Sequence, residues 1–433
     1  MQTPGKHRSF LFLQGPHGPF FGQLAGLLHQ TGANTWRVGF NFADQVFWPH
    51  KNQYTGFHGT PDTWPTTFAG LLARHAVTDL VLYGDTRPLH AQAITAARTA
   101  GVTVHVFEEG YLRPHWVTYE RGGSNGHSRL MDMSVDEMRQ SLANTDVDLV
   151  AAPAHWGDMR KHMVWGAVYH GLLMAGRQHY PGFRPHRALT AGQEFWLYAK
   201  RYAMLPLHRW DRMMATRRIR HGGFPYHLAL LQLEHDASFQ MHSPFATMGD
   251  FLADVIQGFA KGAPAHHHLV FKAHPLEDGR VPIARLIREL AREAGIATRV
   301  HFVRGGKLAR LLDHATTAVT VNSTAGQQAL WRGLPLKTFG ASVYSKPEFV
   351  SDQPLHQFFS APNSPDSRAY RDYRRYLLET SQVPGGYYSS RGRRVLLRSV
   401  VDMVLAQADP YDALANAGAA AKPQLRLVIG RAF

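Results

Sequence analysis

The adjacent glutamates Glu108 and Glu109, followed by Gly110 and then by Tyr111-Leu112-Arg113-Pro114, form a chemically loaded run in this chain. They come directly after Val102 to Phe107, a β-branched stretch that reads as a strand. Strand ends of this kind are where α/β sheets present ligand-binding groups. Two carboxylates adjacent at a strand end are costly if buried together, because like charges raise one pKa of the pair. Taken alone, the pair reads as solvated loop acids at a glycine turn; the guanidinium of Arg113 beside them turns the reading toward a site.

Further candidates sit at other strand ends. His274-Pro275 follows the strand His268 to Lys272, with Pro275 stiffening the turn; His274 reads either as an ordinary loop histidine, one of 27, or, with Lys272 nearby, as a phosphate contact. Asn322-Ser323-Thr324-Ala325-Gly326 follows Ala318 to Val321 and opens a helix at Gln327. Small hydroxyl residues there are expected to cap that helix while its free N–H groups face an anion. Gly15-Pro16-His17-Gly18 lies in the first strand-to-helix turn, where Gly15 and Gly18 give tight backbone geometry or close approach of an acceptor. Asp146-Val147-Asp148 has the form of a DxD metal motif but reads as a solvated turn. His266-His267-His268 lacks carboxylate partners at ligand spacing and reads as a loop entering a strand, so no metal site is expected.

The elements that must position these residues alternate between short apolar runs and helical patterns. Phe10 to Gln14, a glycine turn, and a helix carrying Leu24, Leu27 and Leu28 open the chain; Asp79 to Tyr83, a helix from Pro88 to Ala100 and Val102 to Phe107 repeat the order. Such alternation predicts a parallel sheet covered by helices. A second series runs through Tyr226 to Leu233, His268 to Lys272, Thr298 to Val303 and Ala318 to Val321. Between them, about Ser134 to His221 reads as a helical stretch rich in Trp, Tyr and Arg. The expected organisation is an N-terminal Rossmann-like domain (1–133), a helical basic and aromatic connection (134–221), a second Rossmann-like domain (222–385), and a C-terminal helix and tail (386–433). Two Rossmann-like domains facing a cleft, with a helical insertion, make a GT-B-like α/β fold.

Composition narrows the function. The 433 residues carry 47 Lys and Arg against 32 Asp and Glu, a formal charge of +15, and no Cys. A basic surface favours anionic partners; the missing Cys excludes disulfides, thiolate metal sites and Cys nucleophiles. No recognition helix or aromatic RNA platform is present, so nucleic acid is not an expected partner. Met1 to Ser9 is polar and basic, not a signal peptide, and the apolar stretch Trp165 to Ala175 is short of the ~20 residues that cross a bilayer. Lys200, Arg201, Arg209, Arg212, Arg217, Arg218 and Arg220, interleaved with Tyr202 and Trp210 and preceded by Trp196, suit either an anionic membrane surface or a solvated basic helix.

Five blocks in order, Phe12-Leu13-Gln14-Gly15-Pro16-His17-Gly18-Pro19-Phe20-Phe21, Phe107 to Pro114, Leu231-Gln232 to Asp236, Lys272 with His274-Pro275, and Asn322 to Gly326, resemble those of the capsule polysaccharide β-Kdo transferases, a family commonly labelled capsular polysaccharide export proteins. The resemblance implies a retaining transfer of Kdo from CMP-β-Kdo to a (lyso)phosphatidylglycerol, initiating the poly-Kdo linker of a capsule at the cytoplasmic face of the inner membrane beside other capsule assembly proteins. It implies Glu109, with Glu108 and Arg113, as catalytic residues; Lys272, His274, Pro275, Asn322, Ser323, Thr324, Gly326 and Gln232 around the CMP-sugar; Gly15, His17 and Gly18 on the acceptor side; and no cofactor or metal. The acidic-acidic-Gly and His-Pro motifs are also similar to those of bacterial sialyltransferases, which keeps another CMP-sugar open as donor. A non-catalytic export or scaffold protein is the alternative from another class.

Overall fold

A computed structural model of the chain describes residues 5, 7–143, 159–182, 203–277 and 279–417. Asp146-Val147-Asp148, Trp196, Lys200, Arg201, Tyr202 and the C-terminal tail from residue 418 lie outside the described residues. The chain divides into two compact units. The first comprises Met1–Arg129, Asp136–Arg184 and Arg374–Phe433, and the second Leu130–Val135 and Pro185–Tyr373.

The first unit is built on seven strands: β1 (Ser9–Phe12), β2 (Asn34–Gly39), β3 (Tyr54–Gly56), β4 (Asp79–Tyr83), β5 (Thr103–Glu109), β6 (Trp116–Arg121) and β12 (Gln382–Pro384). Their order is β12-β6-β5-β4-β1-β2-β3. Pairing is parallel from β3 to β5, so the first five strands follow the 3-2-1-4-5 order of a doubly wound sheet. β6 runs antiparallel to β5, and β12 antiparallel to β6. Two reversals make β12 run in the direction of β5, so both strands end at the same edge. Helices cover both faces, which is why β1 is an unbroken apolar run, Phe10, Leu11 and Phe12, with no solvent face to alternate toward. Phe107 is fully buried between Phe20, Phe21 and Tyr119; truncating such a ring to Ala costs about 3–5 kcal/mol.

The second unit holds β7 (Tyr226–Leu230), β8 (His268–Lys272), β9 (Val300–Val303), β10 (Thr317–Thr320) and β11 (Leu336–Thr338), all parallel, in the order β11-β10-β7-β8-β9. This is again 3-2-1-4-5. The helix Met248–Gly262 begins with a capping box between Thr247 and Asp250 and buries Phe251, Leu252, Val255, Ile256 and Phe259 in the core of this unit.

Both Rossmann-like units are thus present, but their bounds differ from the sequence expectation: Leu130–Val135 already belongs to the second unit. Residues 374–385 belong to the first unit, as does the helix Ser390–Leu405: β12 extends the first sheet, and Leu396, Val400 and Met403 pack with Phe10 and Phe12 in its core. The stretch expected as one helical connection is divided instead. The helix Met159–Ala175 belongs to the first unit and the helix Leu205–His221 to the second.

Candidate active site

At the carboxyl edge of the first sheet, β1, β4 and β5 deliver their exits side by side, and β12 exits at the same edge beyond the intervening β6. Glu108 and Glu109 are the last two residues of β5 itself, not a loop beyond it. Glu109 Oε1 accepts hydrogen bonds from the hydroxyls of Tyr388 at 3.0 Å and Tyr83 at 3.4 Å. Tyr83 ends β4, and Tyr388 follows β12 after Gly385-Gly386. Burial, together with the charges of Glu109 and Glu108, drives both phenols far above their ordinary pKa, so both remain proton donors.

Glu108 has different surroundings. Its Oε1 accepts the backbone N–H of Glu109 at 3.0 Å, and a Cβ on Gly84 would stand 3.2 Å from its Oε2. Gly84 has a positive φ of 72°, so the close pass of backbone and carboxylate is one that only glycine takes without strain. Burial, reinforced by the negative charge of Glu109, pushes Glu108 up to about 7 against the opposing N–H of Glu109 and the charges of Arg113 and Arg87. Arg113 is exposed and tied through Nε to the carbonyl of Gly110 at 3.1 Å. Its charge therefore reaches Glu108 as expected, though not through a direct ion pair among the described contacts.

The glycine turn after β1 is shaped by packing. A Cβ on Gly15 would fall 2.6 Å from the Phe21 ring, and Gly18, at φ 112°, lies against the Trp165 indole. His17 stacks on Tyr169 with ring centroids 4.2 Å apart. The Tyr169 hydroxyl accepts from Asn41 at 2.9 Å and from Gln14, whose carbonyl accepts from Arg87. This last contact joins the exits of β1 and β4, the point where the strand order reverses and where doubly wound sheets hold their ligands. On the same helix, His162 stacks on Tyr388 at 4.2 Å and Trp165 donates to the Tyr388 carbonyl at 3.0 Å. Gln14, Tyr83, Arg87, His162, Tyr169 and Tyr388 were not singled out as site residues from sequence. Tyr83 and Arg87 flank a glycine at a strand end, the same signal that marked Glu108; Tyr388 arrives by pairing across the chain and carries no local signal.

In the second unit, Lys272 closes β8 and is 95 % buried, its Nζ donating to the Ala273 carbonyl at 2.9 Å. Burial, with the nearby charge of Arg212, brings it down to about 8. The Leu276 N–H donates to His274 Nδ1 at 3.1 Å, which leaves the proton of the neutral ring on Nε2. Pro275 lies beside Gly305, and Arg212 from the helix Leu205–His221 lies against Gly306. Gln232 and Asn322 occupy the reversal point of this sheet, at the exits of β7 and β10, and are mutually satisfied. The Gln232 amide donates to Asn322 Oδ1 at 2.7 Å and accepts the Asn322 backbone N–H at 3.0 Å, while Asn322 Nδ2 donates to the Ser238 carbonyl at 2.8 Å. Both are buried and lock the two exits together.

Ser323 and Thr324 do not cap the following helix as expected. That helix is the short Gly326–Leu330; its cap residue is Ala325, and neither hydroxyl makes a capping bond there. The Gly326 and Gln327 amides are spent on the carbonyls of Ser323 and Thr324, so they are not available to an anion. Gly326 is required for packing, since a Cβ would stand 2.7 Å from the Tyr344 hydroxyl. His268 opens β8 as the sequence reading expects of the His266-His267-His268 run.

Two sheets in the 3-2-1-4-5 order, each with polar side chains gathered at its carboxyl edge, define a GT-B-like α/β protein. Residues 78–388 match the family described as capsule polysaccharide biosynthesis protein, and the chain belongs to that family. It is 32% identical over 88% of its length to the capsule polysaccharide export protein KpsS of Escherichia coli, covering 97% of that protein. It is 30% identical to the capsule polysaccharide modification protein LipB of Neisseria meningitidis, covering 88% of this chain and 92% of LipB. Among solved structures it is similar to Thermosulfurimonas dismutans KpsC, a beta Kdo 2,7 transferase, with TM-score 0.41 at 14% identity over 84% of this chain and 89% of that one. Among the described residues no helix is long and apolar enough to cross a membrane.

Proposed function

We propose that the chain is a retaining glycosyltransferase that moves Kdo from CMP-β-Kdo to a (lyso)phosphatidylglycerol, initiating the poly-Kdo linker of a capsular polysaccharide. The observation that carries the reading is Glu109, gripped by the hydroxyls of Tyr83 and Tyr388, beside Glu108 held near pKa 7. Two carboxylates in unlike surroundings take unlike roles. In the first step Glu109 Oε attacks the anomeric carbon; the bond from that carbon to the CMP phosphate oxygen breaks, and CMP leaves with the electron pair. In the second, the acceptor hydroxyl oxygen attacks the same carbon from the face CMP vacated, its proton passes to Glu108, and the bond to Glu109 breaks. Two inversions give retention. Tyr83 and Tyr388 orient Glu109 and take up its charge when it departs.

In this reading Lys272 neutralises the CMP phosphate and His274 Nε2 donates a hydrogen bond to it, with Pro275, Ser323 and Thr324 shaping the same edge. Gln232 and Asn322 act by positioning, since their polar atoms are already paired. Arg113, being exposed, is suited to the carboxylate of the sugar or the phosphate of the acceptor. Gly15, His17 and Gly18 belong to the acceptor side. No metal or cofactor enters a step, and transfer is expected to persist in a chelator. The protein acts at the cytoplasmic face of the inner membrane with other capsule assembly proteins, with no role for nucleic acid.

The names of KpsS and LipB, export and modification proteins, favour a second reading, a non-catalytic role in capsule export. Release of CMP separates the readings. Acceptor-dependent release from CMP-Kdo, and not from CMP-sialic acid, is expected; release from the latter alone would change the donor, and release from neither would favour the export role.

A further inference from the structure

The helix Met159–Ala175 has two unlike faces. Its inner face carries His162, Trp165 and Tyr169, which touch Tyr388, His17 and Gln14. At 3.6 residues per turn, Met163, Val164, Ala167, Val168, Gly171, Met174 and Ala175 fall together on an arc of about 140°. Met163, Val164, Val168 and Met174 are 42–62% exposed, Ala167 and Ala175 are exposed, and no polar side chain interrupts them. A water-facing helix surface normally carries charge.

From Met163 to Ala175 no charged residue falls on this arc. Lys161 stands exposed at its amino end, and Arg177 and His179 at its carboxyl end. No Asp or Glu occurs between Met159 and Gly182. An apolar stripe bracketed by cations and free of acids is complementary to an anionic bilayer interface, where methyl groups enter the acyl boundary and cations meet phosphates. It offers nothing specific to a protein partner, which would more often meet mixed charge at the rim.

We infer that the outer face of the helix Met159–Ala175 lies in the plane of an anionic lipid surface while its inner face walls the Glu109 site, so that a lipid headgroup meets the carboxylates at the bilayer boundary. The inference rests on the proposed lipid acceptor and goes beyond it in naming the surface that meets the lipid. The helix is too short to span and is instead suited to interfacial burial.

Because the chain has no Cys, a single label can be placed at will. Val168→Cys and Val164→Cys on the outer face, and Thr95→Cys on the exposed face of the helix Pro88–Thr99 as a reference, each receive a nitroxide. Accessibility to oxygen and to a water-soluble relaxant is read with and without phosphatidylglycerol vesicles. Labels at 164 and 168 are expected to pass from water to lipid on adding vesicles, with the label at 95 unchanged. Val164→Asp with Val168→Asp should lower turnover on vesicle-borne acceptor at least about tenfold while leaving turnover on a water-soluble glycerol phosphate acceptor and the circular dichroism unchanged. Labels at 164 and 168 that stay in water while the protein sediments with vesicles would overturn the inference and leave the lipid acceptor standing. Labels already buried without lipid, in a dimer, would overturn it in favour of a second copy. Loss of turnover on both acceptors with the fold intact would also overturn it, by placing the arc in the chemistry rather than at the membrane.

Discussion

The hydroxyl of Tyr388 donates to Oε1 of Glu109 at 3.0 Å, across 279 positions of chain. The contact exists because β12, after two antiparallel steps, leaves the sheet at the edge where β5 ends. If it orients a nucleophile, Tyr388→Phe should keep the fold and lower turnover about tenfold, roughly one lost hydrogen bond to a charged group. Glu109→Gln should lower turnover at least about a thousandfold. Steady-state kinetics with CMP release, alongside thermal melts, check both; near-normal turnover in Glu109→Gln removes that residue from the mechanism.

Glu108 gives the pH dependence. Its native pKa of about 7 lies above its ordinary 4.5, so the folded state binds the extra proton. The stability this confers is present below pH 4.5 and is lost as pH rises from there through 7. Glu108→Gln should therefore flatten stability across that window and leave the variant the more stable by up to about 3 kcal/mol at pH 8. If Glu108 is the base for the acceptor hydroxyl it must be ionised, so kcat/KM should fall below pH 7. Urea melts and a pH-rate series on the variant, in which the limb near pH 7 disappears, check the two halves separately.

If Lys272 meets the donor phosphate, its titration sets the pH dependence of CMP binding. A buried ammonium held at about 8 is charged at neutral pH and stabilised further by an anion. CMP affinity should be level from about pH 7, where the CMP phosphate is a dianion, to pH 8, and weaken above it. Lys272→Met should weaken CMP about tenfold or more at pH 7 and abolish that decline, and His274→Ala should weaken it by a few-fold to tenfold. Calorimetry reads all three, and unchanged affinity in both variants would move the phosphate elsewhere.

How much of this was legible beforehand follows from where the information lies. β1, β4, β5, β7, β8 and β10 are buried on both faces and read as apolar runs, so their exits, and with them Glu108, Glu109, Lys272, His274 and Asn322, could be placed from sequence. β12 is three residues long and exists only through its pairing with β6, so neither Tyr388 nor the return of the chain to the first unit had a local signature. Ser323 and Thr324 had the composition of helix caps, but the turn closed on its own carbonyls and left them uncapping. The helix Leu205–His221 reads as basic residues interleaved with aromatics; in three dimensions Arg212 turns to Gly306 while Arg217, Arg218 and Arg220 stay exposed with Leu207, Trp210 and Met213.

If the protein docks on an anionic bilayer, those three exposed arginines would supply the electrostatic part of that binding, about 1 kcal/mol each near the surface. Neutralising Arg217, Arg218 and Arg220 together should reduce co-sedimentation with anionic vesicles, make the residual binding less sensitive to salt, and raise the apparent KM for lipid acceptor. Turnover on a soluble acceptor should change little. A triple variant that binds vesicles as well as the parent at low salt would show these residues to be a solvated face.

Transfer itself is tested most directly by mass spectrometry of a phosphatidylglycerol acceptor incubated with CMP-Kdo and the protein. The predicted result is a lipid product heavier by one Kdo residue, formed with the parent and absent with Glu109→Gln. An acceptor unchanged in mass with folded, donor-binding parent protein would contradict a transferase acting on this lipid.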